Sequence, residues 1–393
     1  MAIQLPDTSD GEAGPGATHP CKFNALQIFR RLWELITPAR TEDISSQETD
    51  RYPPKTTIER RRQSIADQSL DKDEYLAEKV TSHQVEETVP SEKTVLYLAY
   101  GSNLSAETFL GKRGIKPLSQ INVVVPSLRL TFDLPGIPYV EPCFAATQHR
   151  AHTPKETHEG KDGNIETLAD ADASEQSTLL SEESASMPLV GVVYEVTVAD
   201  YAKIIATEGG GSGYKDIVVD CYPFPKSHSP TDPIPDHPAT KPFKSHTLLS
   251  PNDDSDPSHL AAKKRQLLPP YRRPKPCYAQ PSARYLNLIN TGAAEHNLPL
   301  PYRRYLSQFQ PYRITTVRQT FGKAIFVTSW YPLLLVFIGL SKLLAGPDGR
   351  SPPWLVQVAN LLFYAMWSTY DRFFAPIFGD GERTVEDTGS YTS

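Results

Sequence analysis

The sequence predicts an α+β protein in which short strands are followed by a pair of helices. Strand-like apolar runs end at turn residues in segments 94–100 and 189–196, and similar short runs occur at 121–125 and 243–249. Segment 281–310 instead has the apolar spacing of two helices. These two patterns define the predicted folded part of the chain, and long polar segments and an apolar tail surround it.

The 393-residue chain is polar, rich in proline and mildly acidic. Its 36 prolines and formal charge of −6, with a mean hydropathy of −0.40, indicate that much of it is not packed core. The acidic balance disfavours a general nucleic-acid binder, so no nucleic acid is expected as a partner. The four cysteines lie far apart without a CxxC pair, which predicts reduced thiols and neither a disulfide scaffold nor a zinc knuckle.

Residues 1–91 are predicted to be a mostly disordered N-terminal tail. Residues 1–20 are polar and carry acids where a signal peptide needs a basic start, so no cleaved secretory signal is expected. Within the tail, segment 21–37 places apolar residues at helical spacing. This segment is either an amphipathic helix that lies on a membrane or a partner, or a short packing helix.

The folded domain is predicted over 92–315, with two long insertions. The first, near 151–187, carries nine acidic residues against two lysines, which is typical of a solvated loop. The second, near 225–276, is dense in proline and serine and contains the predicted strand at 243–249. Its basic clusters can contact anionic lipid or an acidic partner, but the composition favours a flexible insertion.

An uncharged run at 324–341 predicts a helix close in length to the hydrocarbon core of a bilayer. A second apolar run spans 354–370, so 322–370 is predicted to be a helical hairpin or membrane anchor, followed by a polar tail at 371–393. The alternative is a buried helical hairpin of a soluble domain. Basic residues precede the first run, and the positive-inside rule then keeps the folded domain in the cytosol. The expected location is membrane-associated and facing the cytosol, with a cytoplasmic protein as the alternative.

The most informative segment is Tyr97–Leu104, in which a strand ends in Tyr-Gly-Ser-Asn. Gly101 can take a positive φ that other residues avoid, and consecutive N–H groups past a strand end can converge on an anion. Ser102 and Asn103 add a hydroxyl and an amide that can hold a zwitterionic ligand. The alternative is an ordinary strand-to-helix turn with Asn103 as the helix cap.

Glu208 is the second candidate. It follows two isoleucines and precedes the run Gly209–Gly213, so its carboxyl group is expected where the backbone approaches closely. A partly desolvated carboxylate can exchange protons near neutral pH. The alternative is a solvated glutamate at a helix end. The glycines are a poor match to a phosphate-binding loop, because the Gly-Lys-Ser/Thr ending is absent.

These residues, in this order, resemble the γ-glutamylcyclotransferases. Tyr97–Leu104 looks like the YGSN loop of that family, and further landmarks follow in the family's order. They are the strand Gly191–Tyr194, the pair Glu208–Gly209, the segment Pro281–Tyr285 and a closing helix pair at 292–302. The long insertions and apolar tail resemble fungal-type members. The resemblance covers about half of the chain and implies a small mixed β-barrel with flanking helices and a cavity at its mouth.

The family converts γ-glutamyl amino acids or peptides into 5-oxoproline and a released amine, which is a lyase reaction. The resemblance makes Glu208 the general acid and base. It assigns the binding of the γ-glutamyl group to Tyr97, Leu98, Ala99, Tyr100, Gly101, Ser102, Asn103 and Tyr285. Because the substrate's own α-amine attacks its γ-carbonyl group, the reaction needs no enzyme nucleophile, and no metal or cofactor is expected.

The chain departs from the family pattern on the late strand, where His246 or Thr247 stands in place of a tyrosine. Asn103 favours the broad γ-glutamyl-amino-acid branch over the glutathione-specific branch. The alternatives are an inactive cyclotransferase-like binding or scaffold protein at a membrane, a γ-glutamyl-processing enzyme of secondary metabolism, and an enzyme that transfers the γ-glutamyl group to another amine. The expected partners are a small γ-glutamyl substrate, membrane lipid at the C-terminal segment, and a second copy in a homodimer.

Overall fold

The computed structural model describes residues 53–66, 93–150, 187–208, 214–250, 271–275, 278–346 and 349–385. All of them belong to one compact unit, Arg51–Ser393. The helix predicted at 21–37, the body of the acidic insertion, the run Gly209–Gly213 and the end of the polar tail lie outside the described residues.

The described strands form a closed barrel and a separate hairpin. Their bounds are β1 Thr94–Ala99, β2 Ser119–Val125, β3 Leu128–Ile137, β4 Glu141–His149, β5 Leu189–Thr197, β6 Lys215–Pro223 and β7 Phe243–Leu249. The barrel closes in the order β1-β5-β2-β6-β7. Neighbouring strands in the barrel are antiparallel, except that β1 and β7 pair in parallel, with Tyr97 opposite His246. β3 and β4 form the hairpin. The mixed barrel expected from the resemblance is confirmed.

The barrel strands are apolar because both of their faces are covered. β1 and β5 are almost continuously buried, which explains their runs of valine and leucine. Gly191 lies where β5 passes the end of β1. An added Cβ would lie 2.9 Å from Leu98 Cδ1 and would collide with the carbonyl oxygen of Ala99, so this crossing requires a glycine.

One helix precedes the strands, one lies between β5 and β6, and the other five follow the last strand in the part of the chain that the structure describes. The bounds of the helices are α1 Ile58–Gln63, α2 Val198–Thr207, α3 Ala283–Glu295, α4 Leu300–Gln308, α5 Val317–Leu344, α6 Pro353–Thr369 and α7 Ala375–Phe378. The hydroxyl of Thr197 caps α2 and that of Ser282 caps α3, each accepting from the N–H three residues on at 3.1 Å. These caps place Glu208 at the end of α2 and Tyr285 in the first turn of α3.

Residues 53–66 lie within the tail that is predicted to be mostly disordered, and in the structure they pack on the barrel. Thr56 N donates to the carbonyl oxygen of Gln120 on β2 at 3.1 Å, and α1 places Arg60 Nε 3.0 Å from Glu195 Oε1 on β5. The sequence shows no periodicity here, because so short a helix is held by tertiary contacts and leaves no repeating apolar pattern.

The C-terminal helices form a second apolar cluster beside the β3–β4 hairpin. Phe326, early in α5, packs against Tyr370 and Phe374, which follow α6, so the two long helices run antiparallel. Tyr139, in the turn between β3 and β4, packs against Phe326 and Tyr370. Its hydroxyl donates to the carbonyl oxygen of Gly379 at 2.8 Å. The pair of C-terminal helices, α5 and α6, is therefore docked on the turn between β3 and β4.

Segment 371–385 begins the predicted polar tail and packs on the folded unit. The chain continues from α6 through a π-helical turn, Tyr370–Phe374, into α7. Arg273 then pairs with both Asp371 and Glu382, so two charged side chains of this segment are bound to the folded unit.

Among the described residues, α5 is the helix that is long and apolar enough to cross a membrane: Val317–Ser341 has a hydropathy of 1.9 and an apolar window that is 11% buried. Length and composition alone are weak evidence for a membrane span. α5 begins shortly after Tyr312, which pairs with Ser282 at the start of α3. The turn after α5 contacts α2 through Gly349. Both ends of this helix, about 42 Å apart, therefore contact the barrel unit.

Candidate active site

The predicted binding loop begins where β1 ends. Residues Ser102–Leu104 form a single 3-10 turn, and Gly101 before it has φ −105° and ψ −140° instead of the expected positive φ. An added Cβ on Gly101 would lie 3.4 Å from Tyr285 Oη and 3.5 Å from Ala145 Cβ. The glycine therefore leaves space between the loop, α3 and β4.

Asn103 connects the loop to the predicted acid. Its Nδ2 donates to Tyr97 Oη at 2.8 Å and to Glu208 Oε1 at 3.1 Å. The side chain is buried, and its Oδ1 has no hydrogen-bond partner among the described residues. Asn103 is therefore not the ordinary helix cap of the alternative interpretation, since its amide is directed at Tyr97 and Glu208.

Glu208 is the C-cap residue of α2, and its N–H donates to the carbonyl oxygen of Ile204 at 3.0 Å. The helix buries Tyr201, Ile204 and Ile205 against the barrel, and this amphipathic pattern fixes its rotation. The Glu208 side chain is 18% exposed. A carboxylate that is largely buried but still reachable from solvent can bind a ligand and exchange a proton.

Arg113 is a site residue that sequence reasoning missed. Its guanidinium group donates to Glu208 Oε1 and to the hydroxyl of Thr207. Only 11% of the Arg113 side chain is exposed, and its buried Nε has no partner among the described residues. Arg113 follows the π-helical turn Glu107–Lys112 and precedes Gly114, which has a φ of +64°. The sequence offers no signal for the pairing, because it depends on where this turn meets the end of α2.

Tyrosine hydroxyl groups line the space beside the loop. Tyr285 Oη accepts from Ala145 N at 3.2 Å, and Tyr214 Oη donates to the carbonyl oxygen of Ala145 at 2.8 Å. Burial raises the pKa of Tyr97, Tyr100, Tyr214 and Tyr285 above the usual range of a phenol. These groups therefore stay neutral and act as hydrogen-bond donors and acceptors. Tyr214 was not predicted, because it stands alone after the glycine run.

Of the remaining predicted residues, some reach the site and others do not. Ser102 lies close enough to Tyr285 to affect the pKa of its hydroxyl group. Tyr100 Oη donates to the carbonyl oxygen of Leu248 at 2.6 Å. Leu98 and Ala99 are fully buried in β1, so their side chains belong to the core and only their backbone can contribute to binding.

On the late strand, β7, His246 and Thr247 depart from the family pattern, and both belong to a buried polar network. His246 Nδ1 lies 3.2 Å from Asp216 Oδ1 on β6, and Tyr201 donates to the same carboxylate. The Tyr201 ring lies 6.0 Å from that of Tyr97. Thr247 donates to a β1 carbonyl oxygen at 3.2 Å. The network therefore supports Tyr97, and it takes the place of the tyrosine that the family pattern has on the late strand.

Curated relatives of the chain are named gamma-glutamyl cyclotransferases. The chain is 32% identical over 290 residues to gliK of Aspergillus fumigatus, which covers 73% of this chain and 89% of that protein. It is 28% identical over 297 residues to aclK of Aspergillus oryzae, which covers 74% and 91%. A family model described as the AclK C-terminal domain matches residues 316–377, the region of α5 to α7.

A solved structure named gamma-glutamyl cyclotransferase aligns with a TM-score of 0.34 and 18% identity, over 57% of this chain and 92% of that one. This structural likeness is distant, whereas the sequence match to the Aspergillus fumigatus protein exceeds 30% identity and spans most of that protein. On that sequence match, the chain belongs to the γ-glutamylcyclotransferase family of enzymes.

Proposed function

We propose that this enzyme cyclises γ-glutamyl amino acids or peptides to 5-oxoproline with release of the amine, and that Glu208 is its general acid and base. The observation that carries the proposal is the 3.1 Å hydrogen bond from Asn103 Nδ2 to Glu208 Oε1. This bond joins the loop that would bind the γ-glutamyl group to a largely buried carboxylate.

In the proposed reaction the substrate's α-amine nitrogen attacks its own γ-carbonyl carbon. A new C–N bond closes the five-membered ring, and the amide C–N bond to the leaving group breaks. Glu208 takes one proton from the α-ammonium group, which frees the amine to attack, and delivers it to the leaving nitrogen. A second proton leaves the same α-nitrogen as the lactam forms and is taken up by the released amine, so two protons leave the α-nitrogen and two reach the ammonium group of the product. A positioned carboxylate in this role contributes about 10²–10⁴-fold to the rate.

The loop would hold the substrate in the bent conformation that ring closure needs. Because proximity converts the attack into a well-oriented intramolecular step, positioning supplies several kcal/mol, up to about 7–11 kcal/mol in favourable cases. The N–H groups at the start of the 3-10 turn at Ser102–Leu104 are suited to bind the developing oxyanion. The neutral hydroxyl groups of Tyr97 and Tyr285 would fix the polar groups of the γ-glutamyl moiety.

The test uses the full chain with γ-glutamyl-alanine or glutathione and measures 5-oxoproline by chromatography. We expect Glu208→Gln to abolish turnover while γ-glutamyl-alanine still binds, as seen by calorimetry. Glu107→Gln is the matched control, because Glu107 pairs with Lys112 on the surface, and it should retain full activity. Full activity of Glu208→Gln would remove Glu208 from its role, and no product from either substrate would refute the proposed reaction.

We also propose that the exposed side of the C-terminal hairpin binds a membrane surface without crossing the bilayer. Large apolar side chains are exposed along it, including Val317, Phe321, Leu333, Val336, Leu343, Trp354, Leu361 and Tyr364. Soluble monomers rarely expose so continuous an apolar surface, and the contacts at both ends of α5 favour a helix that lies along the surface. The expected homodimer has no support in the part of the chain that the structure describes.

Co-sedimentation of the full chain with anionic vesicles tests this surface. The double variant Leu333→Ser/Val336→Ser should lose binding, because both side chains lie one helical turn apart on the exposed side of α5. Leu118→Ser, at an exposed leucine on the barrel unit, should bind as the unmodified chain does. Equal binding of the double variant would show that this side of α5 is not the binding surface, and no binding by the unmodified chain would favour the cytoplasmic alternative.

A further inference from the structure

The turn between α5 and α6 rests directly on the helix that ends at the proposed catalytic glutamate. Gly349 in this turn is buried and has a φ of +76°. A Cβ added to it would collide with the carbonyl oxygen of Ala202 and would lie 3.1 Å from Ala206 N. Both neighbours belong to α2, so the backbone of the turn is seated on the last turns of that helix.

This contact is close to Glu208 along the chain. Ala206 lies two residues before Glu208, whose N–H is bonded to the carbonyl oxygens of Ile204 and Ile205. These hydrogen bonds join Glu208 to the last turn of α2, so the two are expected to move together. A displacement of the Gly349 contact would be transmitted through that backbone to the Glu208 carboxylate.

The same helix reaches the binding loop through a side chain. Tyr201 of α2 donates to Asp216, and its ring lies 6.0 Å from the Tyr97 ring. Tyr97 Oη in turn accepts from Asn103. Gly349 thus adjoins a helix that carries the acid and also contacts the residues that support the loop.

We propose that Gly349, in the connection between α5 and α6, is a positioning residue of the active site that holds α2 so that Glu208 meets the YGSN loop. The proposal rests on the proposed role of Glu208. Gly349 does not touch substrate; it acts through α2. The C-terminal hairpin then completes the active site as well as carrying an apolar surface.

The decisive comparison is Gly349→Ala against Gly339→Ala in the full chain. Gly349 has a positive φ and no room for a Cβ, whereas an added Cβ at Gly339, on α5, has nothing within 4 Å. We expect Gly349→Ala to lower kcat for 5-oxoproline formation by at least about tenfold with little change in KM, since misplacing a catalytic group by about 1 Å can cost about 10²-fold. Gly339→Ala should have the kcat and KM of the unmodified chain.

Near-UV circular dichroism at the assay temperature gives the folded fraction, so kcat is expressed per folded molecule. An unchanged kcat in Gly349→Ala, or a loss that disappears after this correction, would overturn the proposal.

Glu208→Gln is assayed alongside these variants to separate the two proposals. If Glu208→Gln is inactive and Gly349→Ala is normal, only the positioning role fails. If Glu208→Gln is fully active, the role of Glu208 fails and the positioning role fails with it.

Discussion

Glu208 lies at a helix end where a carboxylate is electrostatically unfavourable. The last carbonyl groups of a helix carry partial negative charge, equivalent to about −0.5 of an elementary charge. Arg113 supplies the opposite charge and Asn103 a neutral donor, both on Oε1. The ion pair is largely buried, so it is screened less than a pair at the surface. The charge of Arg113 is therefore needed to keep the carboxylate in place.

Arg113→Met removes this charge while nearly preserving side-chain volume. We expect kcat to fall by about 10–10²-fold, because Glu208 loses its partner and turns away from the end of α2. Arg113→Lys should retain an intermediate activity. The measurement is steady-state formation of 5-oxoproline. Lys112→Met, at the exposed neighbouring lysine, should be unaffected, and a normal kcat in Arg113→Met would contradict this role.

His296 is predicted to make stability depend on pH. Its Nε2 lies 3.0 Å from the carbonyl oxygen of Leu104 and 2.7 Å from Tyr194 Oη. Burial lowers its pKa to about 4, below the usual value of about 6.5. As pH falls from about 6.5 to about 4, the unfolded chain takes up a proton that the folded chain does not, so the free energy of unfolding falls.

His296 neutral in the fold contributes up to about 3 kcal/mol to the free energy of unfolding, and this contribution is fully present above about pH 6.5 and lost by about pH 4. Urea unfolding at about pH 7 and about pH 4.5 measures it. His296→Gln should flatten this dependence, whereas His237→Gln, at an exposed histidine, should leave it as it is. If the free energy of unfolding of His296→Gln depends on pH as that of the unmodified chain does, groups other than His296 control the loss of stability in acid.

At the scale of elements, the binding loop is held against α3. An added Cβ on Gly292 would lie 2.5 Å from Ser105 N and 2.6 Å from Leu104 Cβ. The helix therefore approaches the backbone just after Asn103 more closely than any larger residue permits. Ala106 N also donates to Glu295 Oε2 at 2.8 Å, which ties the same segment to the end of α3.

Gly292→Ala should push α3 away from the loop. We expect a loss of about 1–3 kcal/mol in the free energy of unfolding, as for overpacked cores, together with a rise in KM if the loop binds substrate as proposed. Gly111→Ala is the control, since its added Cβ would have only an ordinary contact at 3.8 Å. Urea unfolding and 5-oxoproline kinetics test both variants. Unchanged stability and KM in Gly292→Ala would show that α3 can move without cost.

At the scale of the molecule, Arg273 fastens the C-terminal region to the rest of the unit. Its guanidinium group pairs with Asp371, 2.8 Å away, and with Glu382, and it lies 4.2 Å above the Trp367 ring. Glu382 is buried, and burial raises the pKa of its carboxyl group, while Arg273 acts in the opposite direction. One side chain therefore satisfies charges that would otherwise be buried without a partner.

Arg273→Met should destabilise the full chain by about 3–5 kcal/mol, because it leaves the buried Glu382 carboxylate unpaired. We expect thermal unfolding at a lower temperature and faster proteolysis of the C-terminal region. Arg304→Met, at an exposed arginine of α4, is the control and should change neither. Equal proteolysis of the two variants would show that the apolar cluster alone holds the region in place.

Much of the barrel was predictable from local patterns. The strand Phe243–Leu249 has the expected bounds, because apolar runs and turn residues act within a few positions of each other. The local pattern also drew attention to the YGSN loop and Glu208, but their expected roles came from the resemblance to the family. Arg113, Tyr214 and the segment 53–66 escaped prediction, since their partners lie far away in the chain and no local pattern encodes such a pairing.

The C-terminal region shows most clearly which features the sequence determines and which the tertiary structure decides. Its apolar composition alone predicts two long helices, because hydrophobicity and length are properties of the segment. Where those helices lie depends on contacts between distant residues: Tyr139 docks their base on the β3–β4 turn, and Gly349 docks their turn on α2. Chain composition sets which segments must bury apolar surface, whereas side-chain fit in three dimensions decides what buries it, and here that fit brings the end of the chain to the helix that carries Glu208.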